Sequence, residues 1–356
     1  MSEAEIRIDS QTVNGFVTAL FTKVGMMEDD AAFFSEALVK TDLWGIGSHG
    51  VLRVPIYVKR LQTGAMNPRP QIKTIQSAQG LEVMHGDDGP GFIAGRAAMN
   101  RAVELAKTYG VAAVGVIRSN HFGAAGLYSR MAAERGLIGI SMANVVQNMV
   151  VSGGNKPVVG NNPISFAVPT FDEFPFVLDI SMSAVAGGKL LLASKKKEKI
   201  PTDWATDKNG RPTDDPDEAF AGFLLPMAGH KGFGLALIVD ILCGVITGGA
   251  FLHQMKGMYK YPDDPSLTGH FMIAINISAI MAREELKSRM ATFYKTIKTS
   301  PMWDTSKEML LPGEIEYRTS SEREKKGIPL PENLYFELVE LGKSLGVSNM
   351  LRPLNA

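Results

Sequence analysis

Val111-Ala112-Ala113-Val114-Gly115-Val116-Ile117-Arg118-Ser119-Asn120-His121-Phe122-Gly123-Ala124-Ala125-Gly126 is the stretch that decides the fold. Its apolar run, Val111 to Ile117, reads as a buried strand, and Ala124 to Arg135 reads as a helix. A second apolar run, Leu137 to Ala143, reads as the next strand, which makes a strand–helix–strand unit. His121 falls in the loop where the first strand ends, and open α/β sheets place ligands outside the carboxyl ends of their strands. An imidazole titrates near neutral pH and can take or give a proton there. The plainer alternative is a loop histidine that caps the helix or faces solvent.

Outward from this unit the alternation continues. Strands are expected at Leu81–Met84, Ile164–Val168, Phe176–Ile180 and His270–Ile277, with helices at Gly95–Tyr109, Ala184–Ser194 and Ala282–Thr299. Residues 10–64 read as helical. Ser10 caps a first helix carrying Val13, Phe16, Val17, Leu20 and Val24, which Gly25 ends, and a second runs from Asp29 or Asp30 to about Asp42. A third follows Ser48 and reaches Leu61, where Pro55 implies a kink or a later start. Residues 201–226 carry Pro, Asp and Gly clusters and read as surface loop. Leu235 to Thr247 is apolar on nearly every face; it is too short to span a bilayer and is interrupted by Asp240, so a buried helix is expected. Residues 300–330 look irregular, and Pro331–Leu345 forms a last helix. The expected organisation is an N-terminal helical region (1–70), a mixed α/β region (71–226) and a C-terminal region (227–356) that packs back on the N-terminal one.

Composition excludes several classes. The 356 residues carry 37 basic and 37 acidic side chains, so there is no electrostatic footprint for nucleic acid or an anionic membrane. The lone cysteine, Cys243, rules out an intramolecular disulfide framework and sits among apolar neighbours as an inert core residue. Met1-Ser2-Glu3-Ala4-Glu5 is acidic without an apolar segment, which argues against a signal peptide and for the cytosol. No histidine pair has metal-ligand spacing, and no G-x-S-x-G elbow is present.

Four further patterns carry chemistry. His49, Arg53 and Tyr57, spaced by four, form one polar stripe on a helix, either a carboxylate clamp or a solvated face. Gly229-His230-Lys231-Gly232-Phe233-Gly234 opens the apolar helix, where a helix N-terminus and a lysine favour an anion. Asn162, in Gly160-Asn161-Asn162-Pro163, either presents an amide to a ligand or forms a turn; Asp179 either accepts from a ribose hydroxyl or caps a helix from Ser183. Gly89-Pro90-Gly91 has the look of a dinucleotide loop, but Pro90 removes an N–H where donors are needed, and a turn is the better reading. Lys195-Lys196-Lys197 lies at a helix C-terminus, where dipole and solvation account for it; contact with a 2′-phosphate is the alternative.

Together the motifs Gly45-Ile46-Gly47-Ser48-His49-Gly50-Val51-Leu52-Arg53, Ser119-Asn120-His121-Phe122-Gly123, Gly160-Asn161-Asn162-Pro163, Leu178-Asp179-Ile180-Ser181, Ile200-Pro201-Thr202-Asp203-Trp204-Ala205 and His230-Lys231-Gly232-Phe233-Gly234-Leu235 resemble the malate/L-lactate dehydrogenase family of the non-Rossmann type, in order and along nearly the whole chain. The resemblance implies an α/β fold with a non-Rossmann NAD(P)-binding mixed sheet, of the L-sulfolactate dehydrogenase kind, and a helical N-/C-terminal domain. It implies an NAD(P)-dependent oxidoreductase of a 2-hydroxy acid such as malate, L-lactate, ureidoglycolate or sulfolactate, working as a homodimer. The alternatives are a reductase of a cyclic imine or sugar-derived 2-oxo acid, and an inactive ligand-binding protein on the same scaffold. It makes His121 the proton acceptor, Ser48, His49, Arg53 and Tyr57 the substrate pocket, and Asp179, Ile180, Ser181, Lys231, Ser306, Lys307 and Glu308 the cofactor contacts. Departures from the family pattern at Gly47, Val145, Asn161 and His230 bear on the choice of substrate and cofactor.

Overall fold

The structure is a computed structural model that describes residues 5–347 and 350–354; the N-terminal stretch read above lies outside it except for Glu5. Strand β1 (Glu5–Ile8) leads into α1 (Ser10–Lys23) and α2 (Glu28–Leu43). The cap of α1 is Asp9, whose carboxylate accepts the Thr12 N–H at 2.9 Å, so the helix begins at Ser10 rather than being capped by it. Gly25 ends the turn at φ +101°, a conformation that a Cβ disfavours. Two 3-10 turns, Gly47–His49 and Val51–Arg53, precede α3 (Val54–Gln62). Pro55 sits in the first turn of α3, where its missing N–H costs nothing, and so the helix starts later than Ser48.

The central layer follows as β2 (Lys73–Ala78), β3 (Leu81–His85), α4 (Gly91–Tyr109), β4 (Val111–Ser119), α5 (Gly126–Ala133), β5 (Ile138–Ala143), β6 (Ile164–Val168) and β7 (Phe176–Ile180). Next come α6 (Gly187–Lys196), β8 (Ala205–Thr206), α7 (Pro216–Ala221), β9 (Phe223–Leu224), α8 (His230–Asp240) and β10 (Thr268–Ile275). The chain closes with α9 (Arg283–Lys298), α10 (Glu314–Lys326), β11 (Ile328–Pro331) and α11 (Glu332–Ser344).

Seven strands form one mixed sheet in the order β2-β3-β4-β10-β5-β6-β7. Only β3 and β4 pair in parallel; β10 runs antiparallel between β4 and β5. The expected strand–helix–strand unit is therefore real, but its two strands are separated by a strand from far downstream. Residues 71–226 and 227–356 share this sheet, and β1 pairs with β11, which ties the two ends of the chain together. Burial on both faces explains the short apolar runs of β4 and β10: Val114, Val116, Met272 and Ala274 are buried on one face, and Gly115 and Phe271 on the other. The main core joins α1, α2, α3, α4, β4 and α11 through residues such as Phe16, Leu38, Phe92, Val103 and Leu338.

Three further expectations are corrected, the first for residues 201–226, which read as surface loop but contain β8, α7 and β9 with Ala205, Ala219 and Leu224 buried. Residues 314–326 form α10, although the stretch reads as irregular; its charged sequence, EIEYRTSSEREKK, has too few apolar positions to show a period. The apolar segment from Leu235 is not a buried helix. It is the second half of α8 followed by a π turn, Ile241–Val245, and Leu235, Ile238, Ile241, Val245 and Ile246 lie exposed along its outer face. Cys243, on the inner face, is buried with its thiol pKa pushed up by burial, as an inert core residue should be. Among the described residues no helix is long and apolar enough to cross a membrane, and no group of three or more His, Cys, Asp or Glu side chains is placed to hold a metal ion.

Candidate active site

The His121 turn is built from below. At the end of β4 the backbone kinks with Arg118 at φ +56°, while Asp87 and Asp88, after β3, are also at positive φ. Such conformations persist only where surroundings over-determine them. Here Gly86 N–H donates to Ile117 O at 2.8 Å, Asp88 N–H to Arg118 O at 2.9 Å, and Arg118 pairs with Asp88. Asn120, buried, donates to Asp88 O and Gly89 O at 2.7 and 3.0 Å. The Gly89-Pro90-Gly91 motif is a packing turn: a Cβ on Gly91 would lie 2.2 Å from Asn120 O, so only glycine lets α4 start against the His121 turn. His270, buried on β10, bonds Ser119 Oγ through Nε2 at 2.9 Å and stacks on Phe122 at 4.6 Å. Burial lowers its pKa to about 3, so it supports the turn as a neutral ring.

Over this turn stands the Ser48–Tyr57 segment. The four-residue stripe lies partly on 3-10 turns rather than on one helix, yet its side chains converge. Tyr57 Oη is 2.7 Å from His121 Nδ1, and the His49 and His121 rings stack at 5.6 Å. Ser48 Oγ is 3.0 Å from His49 Nδ1, and Arg53 Nε donates to Ser48 O at 2.7 Å. The Tyr57 ring is fully buried against Phe34 and Phe92, 5.1 and 5.9 Å away, which fixes its hydroxyl; such aromatic pairs contribute roughly 0.5–1.5 kcal/mol each beyond area burial.

Electrostatics make these histidines neutral. Burial, then the Arg53 guanidinium and His49, hold the His121 imidazole well below its usual range. Burial and Arg53 lower His49 to about 4, so Arg53 is the cation of the clamp and His49 a neutral hydrogen-bonding partner. Burial pushes the Tyr57 phenol up, so it stays protonated.

Three residues that support this cluster were not singled out in the sequence. Asp42, buried at the end of α2, accepts the Val51 N–H at 2.8 Å, and a Cβ on Gly50 would meet its carboxylate at 2.0 Å. It therefore holds the turn that carries Ser48, His49 and Arg53. Arg60, 1% exposed, donates to Asn120 Oδ1 at 2.9 Å and to main-chain oxygens of the 261–264 stretch. Tyr259 accepts from Arg53 Nη1 at 2.7 Å. A cationic residue in a helix and a tyrosine some 200 positions on give no sequence signal that they meet.

The remaining predicted residues make no hydrogen bond to this cluster among the described residues. Asp179, near the end of β7, accepts the Gly126 N–H at 2.7 Å and thereby caps α5 rather than a helix from Ser183; burial raises its pKa to about 6. Ile180 and Ser181 follow, and Ser181 Oγ lies 3.1 Å from Ser183 Oγ. Met227 N–H donates to Met182 O at 2.9 Å, which brings the start of α8, with exposed Lys231, alongside the end of β7. Asn162 is fully buried with its amide engaged at both ends, accepting from Val145 N–H at 2.8 Å and donating to Ala236 O at 2.7 Å. Ser306, Lys307 and Glu308 lie on an exposed loop: Ser306 and Lys307 contact Asp304, and Glu308 pairs with Arg318 and Lys298. Among the described residues no hydrogen bond or ion pair joins that loop to Asp179 or His121. Lys197 pairs with Asp217 at the surface.

In this mixed-sheet α/β fold a neutral histidine stands beside a guanidinium, and the proteins that the chain resembles are dehydrogenases of hydroxy acids. A model of the malate/L-lactate dehydrogenase family matches residues 8–339, and the chain belongs to that family. It is 38% identical over 358 residues to malate dehydrogenase of Pyrococcus abyssi, covering 98% of each chain. It is 38% identical over 327 residues to L-sulfolactate dehydrogenase of Methanocaldococcus jannaschii, covering 92% of this chain and 93% of that one. The solved sulfolactate dehydrogenase of Methanocaldococcus jannaschii superposes with a TM-score of 0.91 at 36% identity, over 96% of this chain and 98% of that one.

Proposed function

We propose that this protein transfers a hydride between a nicotinamide cofactor, NAD or NADP, and C2 of a small 2-hydroxy or 2-oxo acid of the malate, L-lactate, ureidoglycolate or sulfolactate type. The observation that carries this reading is the convergence of Ser48, His49, Arg53 and Tyr57 on a neutral His121. With Nδ1 protonated and donating to Tyr57 Oη, which gives up the long 3.4 Å contact from Gly123 N–H, His121 carries its lone pair on Nε2. Nε2 then takes the hydroxyl proton as the C2–H bond breaks and the C=O bond forms. Arg53 holds the carboxylate so that C2 faces the hydride acceptor. Positioning of this kind is worth several kcal/mol, roughly 7–11 in favourable model systems.

The cofactor, when bound, accepts or supplies the hydride. The groups at the β7–α8 edge fit it: one Asp179 oxygen is engaged with Gly126 N–H, which leaves the other to accept from a ribose hydroxyl, and exposed Lys231 offers a charge for phosphate. Ile180, Ser181 and the Ser306–Glu308 loop complete the proposed contacts, and Asn162 shapes the floor between β6 and α8. We further read the protein as a cytosolic homodimer. The exposed apolar stripe of α8 and its π turn supports the dimer, since stripes of this kind mark association surfaces; sedimentation velocity of the purified chain tests it.

The direct test adds NADH and then NADPH with a panel of 2-oxo acids (oxaloacetate, pyruvate, sulfopyruvate, a diketogulonate) and a cyclic imine, following cofactor absorbance. Oxidation with one of the acids is the expected result and names substrate and cofactor together. Neither turnover nor cofactor binding by fluorescence would overturn the reading.

A further inference from the structure

Arg60 is the anomaly of the molecule. It is the largest fully buried side chain, and no carboxylate forms an ion pair with it among the described residues. A buried charge is costly unless its donors are satisfied. Here they are satisfied by oxygens alone: Tyr261 O at 3.0 Å, Pro262 O at 3.4 Å, Asp264 O at 2.9 Å, Ser266 Oγ at 3.1 Å and Asn120 Oδ1 at 2.9 Å. The guanidinium thus fastens the 256–266 loop to the residue preceding His121. The loop is closed on itself as well, by Lys256 N–H to Ser266 O at 3.1 Å and the Lys256–Asp264 ion pair at 2.8 Å. Met258 packs against the main core.

The loop so fixed carries Tyr259, whose ring lies 5.4 Å from the Arg53 guanidinium and whose oxygen accepts from Arg53 Nη1 at 2.7 Å. Counting donors shows what remains. Arg53 Nε is engaged with Ser48 O and Nη1 with Tyr259, while Nη2 meets no acceptor among the described residues. The Tyr259 O–H proton also meets none, and the residue is 61% exposed. Two donors therefore stand side by side, one charged and one neutral, at the open side of the site. That is the pattern which receives the two oxygens of a carboxylate.

We propose that Tyr259 is a substrate-binding residue, which together with Arg53 forms the cradle for the carboxylate of the 2-hydroxy or 2-oxo acid, with Arg60 as the positioning residue that holds its loop. This rests on the proposed function and adds a substrate contact outside the family motifs. When the acid binds, the Tyr259 O–H donates to one carboxylate oxygen and Arg53 Nη2 to the other.

The test is Tyr259→Phe, which removes one oxygen from an exposed side chain and leaves every Arg60 contact in place. Three quantities are measured for wild type and variant: KM for the acid, the calorimetric affinity for oxamate in the presence of NADH or NADPH, and the Kd of the cofactor alone. The expected result is a roughly tenfold or larger loss in the first two and no change in the third, the loss of one hydrogen bond to a charged group. Equal values in wild type and variant would overturn the cradle while leaving the dehydrogenase reading intact. A wild type that binds oxamate without turning over any acid, and loses that affinity in Tyr259→Phe, would keep the cradle and reject the proposed reaction. A wild type that does neither overturns both.

Discussion

Around Ser48–Tyr57 polar groups, most of them buried or half-buried, are tied to one another: Asp42 to Val51, Arg53 to Ser48 and to the exposed Tyr259, Tyr57 to His121. Asp179, Lys231 and the Ser306–Glu308 loop are tied to their own neighbours and, among the described residues, not to one another. Lys231 is exposed and without an ion-pair partner among the described residues, and the 306–308 loop bonds only to its own surroundings. The proposed substrate half is thus assembled by the chain alone, as a reaction that depends on orientation requires. The proposed cofactor half offers charge and hydrogen-bonding groups that a ligand would order. Substitutions in the first half should alter the chemistry or the acid's binding; those in the second should alter only the cofactor's.

The largest expected effect is on turnover. His121→Ala should lower it by about 10²–10⁴ with cofactor affinity nearly unchanged; full turnover in steady-state assays would remove His121 from the role of base. Next comes Asp42. Burial raises its pKa to about 7, against roughly 3.9 in an unfolded chain. Between those values the folded state binds the extra proton, so stability falls as pH rises through this window and stays reduced above about 7. Asp42→Asn removes that dependence. Urea unfolding at pH 5 and pH 8 should show wild type losing at most about 3 kcal/mol relative to the variant on going to the higher pH; a constant difference would mean that Asp42 stays ionised in the fold.

Arg53→Lys keeps the charge but loses the planar fork, and should raise KM for the acid roughly ten- to a hundredfold. An unchanged KM would break the contrast between the two halves at its centre. The smallest effect is expected from Lys231→Ala, about 1 kcal/mol in cofactor affinity, because the lysine is exposed and screened. A change in KM for the acid instead would place Lys231 in the wrong half.

The contrast also explains what could be read from the sequence. Apolar periodicity is enough to bracket His121, and four-residue spacing to group His49, Arg53 and Tyr57; Ser48 joins them only through the resemblance to the family. The supports are legible only in space. Arg60 meets oxygens about 200 residues away, and β10 enters the sheet between strands that local pattern makes neighbours. Mean hydropathy misleads at α8: its residues are apolar all round because one face meets the core while the other stands exposed at the surface. The sequence of α10 misleads in the opposite sense, since Glu314 and Arg318 stabilise it by ion pairs rather than by an apolar stripe.

The central claim, that a neutral His121 takes the hydroxyl proton, is tested most directly by the pH dependence of kcat/KM for hydroxy acid oxidation. It should be measured on wild type and on Asp42→Asn, so that titration of Asp42 near 7 is separable. A base held well below 6.5 predicts that kcat/KM holds level from pH 8 down to about 6 in the variant. A fall with its midpoint at or above 6.5 in both proteins would contradict it, since His121 would then be charged in the range where it must accept a proton.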